Sequence, residues 1–270
     1  MSFDRAVENA GLIPAEEALQ SVKKAYSELL SRELAFEIAD LLRVSKLFAG
    51  VSPRRPSAAA VKSGPPARRL KIIKSESPEK YFLGGFGRKK LDVSVANEQD
   101  GLLFALSVKT ITTRDKRSGN YNKNFKNRFG DLCAEATSVH MRSPYTYMVG
   151  LFAMPAAAAF DSTSKRGSTA ERALRYLRSI SGRVSHEQSP EKFEMVVFLL
   201  FDPLVGDEHG TRHSVWDAEM FGLRCEPRPG RHRLFDINTM TEISATDLVS
   251  RLEQGFLDRN PFLEDSSGIS

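Results

Sequence analysis

The sequence predicts a mixed α/β fold, and three features predict it. Residues 193–201, from Phe193 to Phe201, form an almost purely apolar run ended by Asp202-Pro203. Such a run suits a central strand buried on both faces. Residues 91–109 hold two apolar, partly β-branched runs around the polar turn Asn97-Glu98-Gln99-Asp100-Gly101. That pattern reads as a β-hairpin. Between hairpin and central strand lie two segments, near residues 125–141 and 169–179, that read as helices.

The elements follow in order. Residues 15–48 read as helix, because Ala18, Val22, Ala25, Leu29, Phe36, Leu41 and Val44 recur at near-helical spacing without an interrupting proline. This is one long helix or two with a joint near Ser31. Residues 51–66 carry Pro53, Pro56, Pro65, Pro66 and Arg54-Arg55, and read as a flexible linker or exposed loop. Leu70-Lys71-Ile72-Ile73 is a short strand. Gly84-Gly85-Phe86-Gly87 is a turn; no helix follows it, so it has no phosphate-cradling role. The hairpin and a loop to Asn124 come next. In the helix that follows, Phe125, Phe129, Leu132, Ala136 and Val139 form one apolar stripe, with Arg128, Asp131 and Glu135 on a neighbouring one. A strand over Tyr145–Phe152 precedes a helix from Thr169 to about Ser179, capped by Ser168 with Glu171 in the first turn.

Beyond the central strand, Val215–Leu223 reads as a packed segment, Arg231–Ile237 as an edge strand, and Ala245 to about Phe256 as a helix capped by Ser244. The tail from Pro261 is expected to fray. Domain by domain, the reading is a helical segment at 1–50, a linker or loop at 51–69, a core at 70–205 and a C-terminal extension at 206–270.

Composition narrows the function classes. The 270 residues suffice for one large core, and 41% apolar with 27% charged residues is ordinary for a globular protein. A net charge of +5 mildly favours a polyanionic partner. Cys133 and Cys225 have no pair spacing, which argues for a reducing compartment and against a zinc cluster. The N-terminus reads as lacking a signal peptide. The longest apolar stretch, Tyr147–Phe160, is too short for a membrane span and is broken by Pro155. A cytoplasmic protein with no membrane association is the expectation. His209 and His213 sit in a Gly-rich polar stretch and read as surface residues.

The hairpin carries the chemistry. If Asn97 faces Leu102 across the turn, Asp92 falls opposite Ser107. Strand side chains alternate, so Ser107 and Lys109 share a face. A buried Asp and Lys placed together are costly for stability alone. They make sense as a metal ligand and a charge that orients a water. The alternative for Asp92 is a turn-end carboxylate on backbone N–H groups, and for Lys109 a strand end in solvent.

Asp92, Ser107-x-Lys109 and the order α, β, β, β, α, β, α, β resemble the PD-(D/E)XK nuclease superfamily. The resemblance implies a restriction-endonuclease-like core with a mixed central sheet, an N-terminal helical segment and a C-terminal α+β extension. In that superfamily an Asp on one strand and an acidic-x-Lys on the next hold Mg²⁺ beside the scissile phosphate. Here Ser107 stands at the acidic position. That resembles the Ser-x-Lys subgroup of type II restriction endonucleases, where a Glu on the following helix supplies the carboxylate. Glu135 is the residue so implied, with Asp131 and Glu98 as substitutes. The resemblance therefore implies Asp92, Ser107, Lys109 and Glu135 as catalytic residues, with Asp92 and Glu135 on the metal.

The segment after Lys109 adds a nucleic-acid signal. Arg114, Lys116, Arg117, Lys123, Lys126 and Arg128 face one acidic residue, Asp115, with asparagines interleaved. Lys and Arg neutralise phosphates, and Asn reads adenine edges. Lys89, just before the hairpin, joins this set. With no apolar periodicity before Phe125, the segment is expected to stay mobile until it meets DNA. The reading is a Mg²⁺-dependent endonuclease acting on double-stranded DNA, of restriction or phage-defence type, and the resemblance implies a homodimer. A non-catalytic nucleic-acid-binding protein on the same fold, or an interaction subunit of a larger complex, remains open beside it.

Overall fold

The computed structural model describes residues 3–48, 81–97, 100–204 and 232–261. The expected linker at 51–69, the strand at Leu70–Ile73, the segment Val215–Leu223, Glu98, His209, His213, Cys225 and the tail beyond Pro261 lie outside the described residues.

A six-stranded mixed sheet forms the centre. Its strands are β3 (Val93–Asn97), β4 (Gly101–Thr110), β5 (Tyr147–Pro155), β6 (Met195–Phe201), β7 (His232–Asp236) and β8 (Thr241–Ile243), adjacent in that order. β4, β5 and β6 run parallel, while β3 at one side and β7 and β8 at the other are antiparallel to their neighbours. Every residue of β5 and of β6 is buried, as apolar runs with helices on both sides require. β1 (Tyr81–Gly84) and β2 (Gly87–Lys90) form a separate antiparallel hairpin.

Five helices cover the two faces among the described residues. α1 (Asp4–Ala10), α2 (Gln20–Leu42) and α5 (Ala245–Arg259) pack on one face, against Leu106, Val108, Val149 and Leu151. α3 (Phe125–Arg142) and α4 (Thr169–Ser179) pack on the other, against Ala105, Met148, Phe152 and Phe198. The alternation of strand side chains sorts each residue to its layer. No helix among the described residues is long and apolar enough to cross a membrane.

Capping boxes mark the starts of two helices. Ser168 caps α4 through the backbone N–H of Glu171, and the Glu171 carboxylate accepts from the Ser168 N–H. Ser244 and Asp247 build the same box on α5. Three expectations change. The helix expected over residues 15–48 is α2, shorter at Gln20–Leu42 and unbroken at Ser31, and α1 precedes that span. The Arg231–Ile237 strand is not at the sheet edge, because β8 pairs along its outer side. The glycine cluster is a turn as expected, but it joins two strands. There the Gly85 N–H donates to the Ser138 carbonyl of α3 at 2.7 Å. A Cβ on Gly84 would run into the Ser138 hydroxyl, so only glycine lets the hairpin lie this close.

Candidate active site at the end of the second hairpin strand

β4 is pinned on both faces where it ends. Thr110 points to the α2 side, where its hydroxyl meets those of Ser27 and Ser31 at 2.7 and 2.9 Å. Lys109 points to the α3 side, where its Nζ donates to Glu135 Oε1 at 2.6 Å. Two residues earlier on the same face, the Ser107 hydroxyl donates to Glu135 Oε2. Glu135 thus takes a hydroxyl on one oxygen and an ammonium on the other. The apolar stripe of α3 makes this possible. Phe125, Leu132, Ala136 and Val139 are buried against the sheet, which turns Glu135 to the flank of the helix beside β4.

Asp92 lies one residue before β3. The β3–β4 ladder ends at the pair Val93 and Leu106, so Asp92 stands opposite Ser107 by continuation of that register. Its Oδ2 accepts the backbone N–H of Val108 at 2.7 Å. The carboxylate takes the place of a strand carbonyl and closes the ladder. The fold therefore brings Ser107, Lys109 and Glu135 into direct contact, and sets Asp92 on the intervening residue of the same strand. Side chains of Lys109 and Glu135 are 13% and 19% exposed, enough for a ligand to reach them.

The substitutes for Glu135 stand elsewhere. Asp131 is 51% exposed and pairs with Arg128 at 3.5 Å. Among the described residues, no group of three or more His, Cys, Asp and Glu side chains gathers into a metal cluster. The chemistry at hand is a pair of carboxylates with one hydroxyl, all oxygen donors. That set fits Mg²⁺, which prefers oxygen and is held by one or two carboxylates while keeping waters. The Lys109 ammonium at Glu135 shows that this carboxylate already holds a cation.

The basic segment after β4 departs from the expectation of a chain unable to order itself. Asp115 organises it: the Ser118 N–H and hydroxyl donate to its Oδ2, and Lys123 lies 3.3 Å from its Oδ1. The Ser118 hydroxyl chiefly, with Lys123, holds the Asp115 carboxyl below its ordinary value. Arg114 donates to the Gly119 carbonyl at 3.1 Å, and its guanidinium lies 5.8 Å from the centre of the Tyr121 ring. Tyr121 is buried, which pushes its phenol up to about 12. The Tyr121 N–H donates to Asp161 Oδ2 at 3.1 Å. Polar local bonds and one buried aromatic supply the order that apolar periodicity did not announce.

The predicted phosphate contacts are spread over several elements. Arg114, Lys116, Arg117 and Lys123 are exposed in this segment, Lys126 is exposed on the first turn of α3, and Arg128 is half-buried. Lys89 falls in β2 opposite Phe82, and its side chain lies outside the described set. Sequence reading missed Ser27, Ser31, Thr110 and Asp161. The serines lie four residues apart on α2, a spacing that marks one helical face without saying what it meets. Cys133 is half-buried on α3, and burial raises its thiol above the ordinary value.

Comparison of the chain with protein-family models, with curated proteins and with solved structures gave no match in any of the three.

Proposed function

We propose that the chain is a Mg²⁺-dependent endonuclease that hydrolyses phosphodiester bonds of double-stranded DNA, of restriction or phage-defence type. One observation carries the reading: Lys109 and Ser107 of β4 both close on Glu135 of α3, with Asp92 on the intervening residue. An oxygen-only pair of carboxylates beside a lysine suits phosphoryl chemistry, where positioning and charge stabilisation matter most. The sequence of a hairpin, a helix and two parallel strands supports the likeness to the PD-(D/E)XK core.

Asp92 and Glu135 would hold the cation. Bound Mg²⁺ supplies charge stabilisation at the phosphate. Ser107 donates a hydrogen bond to Glu135 and keeps its carboxylate turned toward β4. Lys109 supplies a positive charge at the same point, able to orient an attacking water and to offset charge on the phosphate. Leu106 and Val108, buried on the opposite face of β4, and Phe152, which pairs with Lys109 from β5, hold Ser107 and Lys109 in register. A homodimer acting on both strands goes with this reading.

A second reading is favoured by one specific observation. Asp92 already serves the backbone of Val108, and both oxygens of Glu135 have partners, so the cluster is self-consistent as a structural joint. A non-catalytic nucleic-acid-binding protein on the same fold would look this way. Incubation with supercoiled plasmid separates the two. Conversion to nicked or linear DNA with Mg²⁺, abolished by a chelator, is the expected result. Intact plasmid despite measurable duplex binding supports the second reading.

A further inference from the structure

We propose that the exposed face of α4 is a second phosphate-binding surface, continuous with the basic segment after β4, and that its ligand is the backbone of a nucleic-acid duplex. The inference rests on the reading of a nucleic-acid substrate and adds a surface to it. Three observations carry it.

The first is charge without neutralisation. Arg172, Arg175 and Arg178 recur every three residues on α4, and each step leaves them on one broad outer face. Ala170, Ala173, Leu174 and Leu177 occupy the inner face and are buried. Among the described residues none of the three arginines has a carboxylate within ion-pair distance. The single acidic residue of the helix, Glu171, has its carboxylate engaged by the Ser168 N–H in the cap. A solvated helix face of ordinary kind pairs such cations with acids one turn away. This one leaves three positive charges in a row.

The second is an aromatic platform under the first arginine. The Arg172 guanidinium lies 5.8 Å from the centre of the Tyr176 ring, and Tyr176 remains 38% exposed. Tyr176 in turn packs edge-on against Phe125 and Phe129 of α3, with centroids 5.4 and 5.3 Å away. A guanidinium held on a ring gives up less freedom when it binds a phosphate.

The third is a shared anchor. Asp161 is buried and accepts from both elements: the Tyr121 N–H of the basic segment at 3.1 Å, and the Thr169 N–H and hydroxyl at the start of α4 at 2.7 and 2.5 Å. One carboxylate thus fixes the segment bearing Arg114 and Lys123 against the helix bearing Arg172. The two basic surfaces are held as one, so a rigid polyanion can meet both together. A flexible acidic peptide gains nothing from that fixed spacing.

The test is duplex binding by the full chain without Mg²⁺, using a fluorescent blunt duplex over a range of salt concentrations. The variant is R172Q/R175Q/R178Q, with R175Q/R178Q as a second that leaves the Tyr176 contact intact. Each cation withdrawn from a phosphate lowers the log-affinity against log-salt slope by about 0.9, so the triple variant is expected to lose roughly two to three units of slope. The double variant should lose about two. Unchanged slope and affinity in both variants, with plasmid cleavage retained, overturns this surface and leaves the nuclease reading standing. Reduced slope with no cleavage by any form upholds the surface and sinks the nuclease reading. A wild type that binds poly-glutamate as tightly as the duplex overturns the nucleic-acid assignment.

Discussion

Glu194 and Glu135 both hold cations, and they do so in opposite ways. Glu194, just before β6, is 4% exposed at its side chain and is saturated. Its Oε1 meets Arg183 at 2.7 Å and Arg259 at 3.6 Å, and its Oε2 accepts the Met148 N–H at 2.8 Å with His140 3.4 Å away. Among the described residues Glu135 meets Ser107 and Lys109, at a margin that solvent reaches. The first cluster uses arginines and backbone, groups that cannot leave. The second uses a lysine, a compact charge on a flexible stem that readily changes partner. Arginine with backbone marks a carboxylate committed to the fold. On the proposed reading, lysine with a small hydroxyl leaves a carboxylate available for chemistry.

Substitutions can break or sharpen that contrast. The largest effect is expected on catalysis. Asp92→Ala and Lys109→Ala should each lower Mg²⁺-dependent plasmid cleavage by at least about a hundredfold, the scale of losing one preorganised charge-stabilising group. Near-wild-type cleavage by either folded variant would show that the available cluster is not the active one. Next comes Glu194→Ala, which strands Arg183 in the interior. A loss of about 3–5 kcal/mol is expected in denaturant unfolding. A change below about 1 kcal/mol would erase the distinction between the two glutamates.

Glu135→Ala should do the reverse. Its unfolding free energy should fall by about 1 kcal/mol or less, as for pairs near solvent, while Mg²⁺ binding by calorimetry weakens strongly. Adding Ser107→Glu to that variant should recover part of the binding. Equal Mg²⁺ affinity in wild type and Glu135→Ala would move the metal role to Asp92 alone. The smallest effect concerns Asp115. Its folded carboxyl titrates below the ordinary value, so its contribution to loop order is complete above that value and lost as pH falls through the depressed one. An NMR titration of the Ser118 amide should show the loop intact at neutral pH and loosening only in acid. Loosening near pH 6 would exclude Asp115 as its organiser.

What the sequence disclosed follows the range of each signal. Met195–Phe201 is legible because burial on both faces needs an unbroken apolar run. α4 is legible because its cap and apolar face lie within a dozen residues. β1 and β2 escaped notice: each is four residues long, and Gly87-Arg88-Lys89-Lys90 has neither branched nor aromatic side chains. β8, three residues long, carries no period at all. The alignment of Asp92 with Ser107 came from sequence through two departures that cancel. Asn97 pairs with Gly101, one residue short of the assumed Leu102, and an irregularity between Val95 and Ala96 restores the count. The Glu194 network stayed hidden because its partners are far apart along the chain, and the Asp161 anchor because Asp161 lies forty residues beyond the Tyr121 N–H it accepts.

That irregularity has its own consequence. Leu103 and Phe104, though neighbours, both face the α2 side, while Leu102 and Ala105 face the other. Leu103 is a spare count in β4. Deleting it would remove one buried leucine yet keep odd and even positions in step, so Ser107 would still face α3. Deleting Ala105 instead would exchange odd for even from the turn onward and carry Lys109 to the wrong layer, unless the spare residue is absorbed. The strand thus carries one residue beyond what its pairing with β3 uses, and that residue lies before the groups that close on Glu135.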